Sequence, residues 1–180
     1  LKEYIRGRKL SPGEFLPIAI SMTACLQEIH SSGIVHQDVN PFNFIYNSAT
    51  KNLRIIDLGI ASALTKEGVS LAATGRLEGT LAYISPEQTG RMNRRVDWRT
   101  DFYSLGITLY EMLTGRRPFD SSDPLELVHA HIARIPVPPH EIALGIPETV
   151  SSIIMKLLSK NAEDRYQSAA GIRADLEACL

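Results

Sequence analysis

At 180 residues, with 44% hydrophobic and 22% charged side chains, the chain is long enough for one domain with a real core and too apolar to be disordered. A net charge of −1 without a basic stripe argues against nucleic acid as a partner. No apolar run reaches the length of a membrane span, and the opening Leu1-Lys2-Glu3-Tyr4-Ile5 is amphipathic rather than a leader peptide.

Ser11-Pro12-Gly13-Glu14 predicts a helix start, because Ser11 caps, Pro12 suits the first turn and Glu14 closes a capping box. Phe15, Ile18, Ala19, Met22, Cys25, Leu26 and Ile29 then recur at helical steps as one buried stripe, which makes Cys25 a buried thiol. Gly33 ends that helix, and Pro41 keeps 34–43 from continuing it. Phe44-Ile45-Tyr46 and Leu53-Arg54-Ile55-Ile56 are short apolar strands around the polar turn 47–52. A hairpin there brings Asn43 and Asp57 to one end. Residues 59–80 form a long loop offering the hydroxyls of Thr65, Ser70 and Thr74, and loops of that length are usually functional.

Phe102 to Thr114 is apolar nearly all round, the mark of a helix in the middle of a domain. Asp123 starts a capped helix running to Arg134, residues 135–147 form a Pro-rich loop, and 148–159 forms a further helix. Ser168 caps a last helix with Ile172 and Leu176 inward. His129 and His131 stand on different faces of their helix and read as surface or groove residues rather than metal ligands. Cys25 and Cys179, the two cysteines, suggest no disulfide scaffold and fit a reducing cytoplasm. The expected fold class is mainly α within α+β: a helical bundle with one small β-hairpin.

The densest chemistry lies in His36-Gln37-Asp38-Val39-Asn40-Pro41-Phe42-Asn43 and Asp57-Leu58-Gly59. A carboxylate, an amide shortly after it, and a second carboxylate beyond a hairpin are the groups that hold a metal-bound triphosphate beside a hydroxyl. Taken singly, Asp38 and Asn43 would be ordinary turn or cap residues. Together with Asp57 they resemble the catalytic loop and metal-binding Asp of protein kinases. Gly79-Thr80-Leu81-Ala82-Tyr83 and Ser85-Pro86-Glu87 resemble the end of a kinase activation segment. Asp101-Phe102-Tyr103-Ser104-Leu105-Gly106 resembles the start of the central kinase helix, and Arg165 the late Arg that pairs with the segment's Glu.

The resemblance covers essentially the whole chain. It implies the C-terminal lobe of a Ser/Thr protein kinase domain over 1–180, with catalytic loop 34–43, metal-binding motif 57–59 and activation segment 57–87. The N-terminal sheet, with its Gly-rich loop and Lys, is absent from this chain, which lacks an initiator Met and reads as a piece of something longer. The wording of 80–95 and 101–119 is similar to the kinase domains at the front of large bacterial multi-sensor histidine kinases.

The resemblance also implies ATP and Mg²⁺ as cofactors, a protein Ser or Thr hydroxyl as acceptor, and further domains of the same polypeptide as partners, in a cytoplasmic signalling protein. Asp38 would orient the acceptor hydroxyl, Asn43 and Asp57 would hold Mg²⁺, and Thr80 would contact Asp38 and favour Ser and Thr. Ile45 would lie under the adenine; the plainer reading is a strand core residue, and the two are compatible. Glu87 and Arg165 would form a buried ion pair, Asp101 would accept catalytic-loop N–H groups, and His36 would be a core histidine against Leu58.

Two residues depart from the kinase pattern. Gln37 replaces the usual Arg and removes the charge that a phosphorylated loop would neutralise. Asn40 replaces the usual Lys beside the transferred phosphate, and offers a hydrogen bond without charge. These leave a pseudokinase docking module as an alternative. A small-molecule phosphotransferase is a further alternative, opposed by the peptide-cradling segment 79–87. Without the upstream nucleotide-binding parts, the isolated chain is expected to bind ATP weakly and to transfer little phosphate.

Overall fold

Ser11 starts the first long helix as its neighbours dictate. Its Oγ accepts the Glu14 N–H at 3.4 Å, while the Glu14 carboxylate accepts the Ser11 N–H at 3.1 Å, a closed capping box. The computed structural model describes residues 1–57, 81–92 and 94–180. In it a single turn, α1 (Lys2–Ile5), precedes this helix, α2 (Pro12–Ser31), which Gly33 ends at φ +72°. Phe15, Ile18, Ala19, Met22 and Leu26 are buried along one face. Cys25 is a correction: its thiol is only half-buried, at the border where α2 meets the hairpin, with Sγ 3.9 Å from the Leu53 carbonyl oxygen.

The hairpin forms from β1 (Phe44–Asn47) and β2 (Asn52–Ile55), antiparallel, with Phe44 opposite Ile55 and Asn47 opposite Asn52. Ile56 lies just past β2, yet its N–H donates to the Asn43 carbonyl at 2.8 Å. That bond closes the end of the hairpin at which Asn43 and Asp57 sit.

At the centre runs α3 (Arg99–Thr114), buried at every position except Arg99 and Glu111. Gly106 lets it approach α6 (Glu148–Leu157), because a Cβ there would lie 2.8 Å from the Leu157 Cβ. Between them in sequence come α4 (Pro124–Ala133), capped by Asp123 Oδ1 on the Leu125 N–H at 2.9 Å, and α5 (Pro139–Ile142). The short α5 falls inside the stretch expected to be all loop, since Pro139 at its first turn has its φ already set for helix. The last helix, α7 (Ala169–Glu177), packs on α2 and is capped by Ser168 Oγ, which accepts the Gly171 N–H at 3.2 Å.

His131 overturns the expectation of a surface or groove histidine: it is 0% exposed, while His129 is exposed. Its ring lies edge-on to Phe119 and Tyr103, with centroids at 5.2 and 5.8 Å, and Nδ1 is 3.2 Å from the Tyr103 hydroxyl. Burial and the nearby Lys160 charge lower its pKa to about 3, so it is neutral. Among the described residues no helix is long and apolar enough to cross a membrane.

Candidate active site

Asp101, near the start of α3, is fully buried and organises the loop before the hairpin. Its carboxylate accepts the N–H groups of His36 at 2.8 Å and Gln37 at 2.7 Å, and His30 Nε2 lies 2.8 Å from the same group. Two consecutive backbone donors on one fixed carboxylate set the path of the chain into Asp38. Gln37 takes φ +65°, a left-handed conformation uncommon for a residue with a Cβ. His36 is buried with Nε2 3.1 Å from the Ile56 carbonyl oxygen, which ties the loop to the far strand of the hairpin. Its expected neighbour Leu58 lies outside the described residues.

The Asp38 carboxylate is gripped on both oxygens. Asn40 Nδ2 donates to Oδ1 at 2.7 Å, and Asn43 Nδ2 donates to Oδ2 at 2.8 Å. Each amide also donates to the Asp38 carbonyl oxygen, at 3.1 and 2.8 Å. Asn40 spends its own Oδ1 on the Phe42 N–H at 2.9 Å, capping the turn Pro41–Asn43. Burial raises the Asp38 carboxyl above the ordinary range, against the lowering effect of the two amides. The charge of Asp57 pushes it further up, which places Asp57 within electrostatic reach of Asp38. Asp57 itself takes φ +64°, just beyond β2.

Ile45 is 57% exposed, so it is not strand core. Together with Lys2, Tyr4, Phe42 and Tyr46 it lines an open cleft of about 550 Å³ flanking the loop. Thr80 lies outside the described residues, as do Leu58, Gly59 and the loop hydroxyls Thr65, Ser70 and Thr74.

Further along the chain, Ser85-Pro86-Glu87 is anchored from several sides. Arg165 donates Nη1 and Nη2 to the two Glu87 oxygens at 2.7 and 2.9 Å, and Thr100 Oγ1 donates to Glu87 at 2.7 Å. Two further contacts join residues that no motif or spacing connects. Gln88 Nε2 donates to the Gln37 carbonyl at 2.7 Å, and Tyr83 donates to Glu111 at 2.6 Å, a carboxylate that also pairs with Lys2. Neither had a signal to find, because each joins residues far apart in sequence and, for Gln88, the partner is a backbone atom.

A profile of the protein kinase domain matches residues 1–175, and the chain belongs to the protein kinase family. It is 38% identical over 167 residues to the serine/threonine-protein kinase PknB of Mycobacterium tuberculosis, covering 93% of this chain and 26% of that protein. It is 39% identical over 167 residues to PknB of Mycobacterium leprae, with the same coverage of 93% and 26%. Against a probable serine/threonine-protein kinase of Streptomyces coelicolor it is 38% identical over 176 residues, 97% of this chain and 25% of that one. The chain thus spans about a quarter of the length of the curated relatives it matches.

Proposed function

We propose that the chain is the C-terminal lobe of a bacterial Ser/Thr protein kinase domain, which transfers the γ-phosphoryl group of ATP to a protein hydroxyl. In this proposal the catalytic loop is 34–43, the metal-binding motif 57–59 and the activation segment 57–87, and upstream sequence supplies the N-terminal sheet. The supporting observation is the Asp38 carboxylate, fixed on both oxygens by amides and within electrostatic reach of Asp57.

Asp38 orients the acceptor hydroxyl and takes its proton. A carboxyl raised by burial suits that role, since a base with a pKa nearer the working pH is more effective. Asn43 commits its Nδ2 to Asp38, and its Oδ1 would hold Mg²⁺ together with the Asp57 carboxylate, both being hard oxygen donors of the kind that fits this ion. When bound, that ion neutralises charge on the phosphates of ATP. Asn40 directs its donor at Asp38 and, being neutral, would supply a transferred phosphate with no charge. Ile45 underlies the adenine from the open cleft, and the preference for Ser and Thr is assigned to Thr80 by the resemblance to the kinase segment.

The relatives are named Ser/Thr kinases, which supports a protein hydroxyl as acceptor. The domain belongs at the front of a cytoplasmic multi-sensor signalling protein whose further domains are its partners. To test this, the full-length protein and its Asp38→Asn variant are incubated with labelled ATP, Mg²⁺ and a protein or peptide acceptor. Transfer to Ser or Thr that disappears in the variant supports the proposal. Equal signal in both, or none in either, turns the assignment toward the pseudokinase docking module.

A further inference from the structure

The φ of +65° at Gln37 is sustained where surrounding groups over-determine the backbone, and here both sides of the residue are held. Its N–H donates to Asp101 at 2.7 Å, and its carbonyl accepts Gln88 Nε2 at 2.7 Å. That carbonyl shares a peptide plane with the N–H of Asp38. Gln88 therefore grips the plane that carries Asp38. It cannot easily turn away. Its Oε1 accepts both the N–H and the Oγ–H of Ser85, at 3.1 and 3.0 Å, and the residue is only 9% exposed. With the oxygen fixed by two donors, the NH₂ end must face Gln37. The side chain of Gln37 adds no anchor through its oxygen, which is buried without a hydrogen-bond partner among the described residues.

We propose that Gln88 is a positioning residue: through the Gln37–Asp38 peptide plane it aims the Asp38 carboxylate, so that the segment after Ser85 holds the catalytic loop by a neutral amide. The role in catalysis rests on Asp38 being the base proposed above, whereas the mechanical role does not. The clamp needs no charge on Gln37 and no phosphate to complete it.

Two variants separate its contacts. Gln88→Glu keeps an oxygen for Ser85 but sets a second carboxylate oxygen against the Gln37 carbonyl. Gln88→Met keeps the volume and removes both contacts. In the full-length protein, amide hydrogen exchange of 36–39 is measured beside steady-state kinetics, with thermal unfolding to check the fold. Expected are exchange faster by about tenfold or more in both variants, and kcat lower by about tenfold or more with both KM values within about twofold. Unchanged exchange overturns the proposal whatever the activity does, and faster exchange with unchanged kcat removes its catalytic part. Asp38→Asn serves as the separate control. If that variant still transfers phosphate, the assignment of the base fails, while exchange continues to judge Gln88.

Discussion

Arg165 and Glu87 form a two-pronged ion pair across 78 residues of chain, with Arg165 fully buried and Glu87 nearly so. The Arg also donates to the carbonyls of Ser159, Arg99 and Lys160. Removing one partner strands a buried charge, so Glu87→Gln or Arg165→Met should each cost about 3–5 kcal/mol of unfolding free energy in urea. The double variant should cost clearly less than the sum, since the second removal strands nothing further. Strict additivity would show that the two groups do not depend on each other.

The same pair predicts a pH dependence. Burial raises the Glu87 carboxyl, but the bonds from Arg165 and Thr100 outweigh it and hold the group below its ordinary range. A carboxyl depressed in the folded state contributes stability that is complete above its unfolded pKa of about 4.3, and that is lost as pH falls through the folded value. The urea midpoint should therefore decline as pH drops below about 4. Glu87→Gln should decline less steeply over that interval. A slope matching wild type would assign the acid sensitivity to other carboxylates.

Gly106 makes a packing prediction. A Cβ there would meet the Leu157 Cβ at 2.8 Å and the Leu158 Cδ2 at 3.0 Å, and the Leu157 Cβ belongs to the stiff base of its side chain. Gly106→Ala gains about 1 kcal/mol of helix propensity. Overpacking between α3 and α6 costs about 1–3 kcal/mol. The expected net is a lower melting temperature, and a rise would mean that the two helices separate easily.

What could be read from the sequence divides along the range of the interactions. The Ser11 box, the Asp123 and Ser168 caps and the stripe of α2 are local and were legible. Asp101 and the Glu87–Arg165 pair were reachable through resemblance, because kinase motifs carry long-range geometry that spacing alone does not. His131 was misplaced because helical spacing separates it from His129 without saying which face is covered, and Phe119 and Tyr103 decide that. Cys25 sits on the apolar stripe, yet the hairpin covers it only in part. Gln88 was invisible because its partner is a backbone carbonyl 51 residues away.

Asn40 offers the sharpest check on the electrostatics of Asp38. Its Nδ2 on Oδ1 is one of the two donors that hold the carboxyl down against burial. Asn40→Ala removes that donor, so the Asp38 pKa should rise further, and the acid limb of the kcat/KM profile should move to higher pH. Activity near pH 6 should then fall more than activity near pH 8. The variant also strips the cap from the Phe42 N–H, at about 0.5–2 kcal/mol of stability, which thermal unfolding reads separately. Asn40→Lys instead places a cation beside Asp38, and the limb should move the opposite way, to lower pH. Opposite shifts from one position cannot come from general loosening of the loop. Two variants that lose activity with the limb unmoved would make Asn40 a cap for the turn and nothing more.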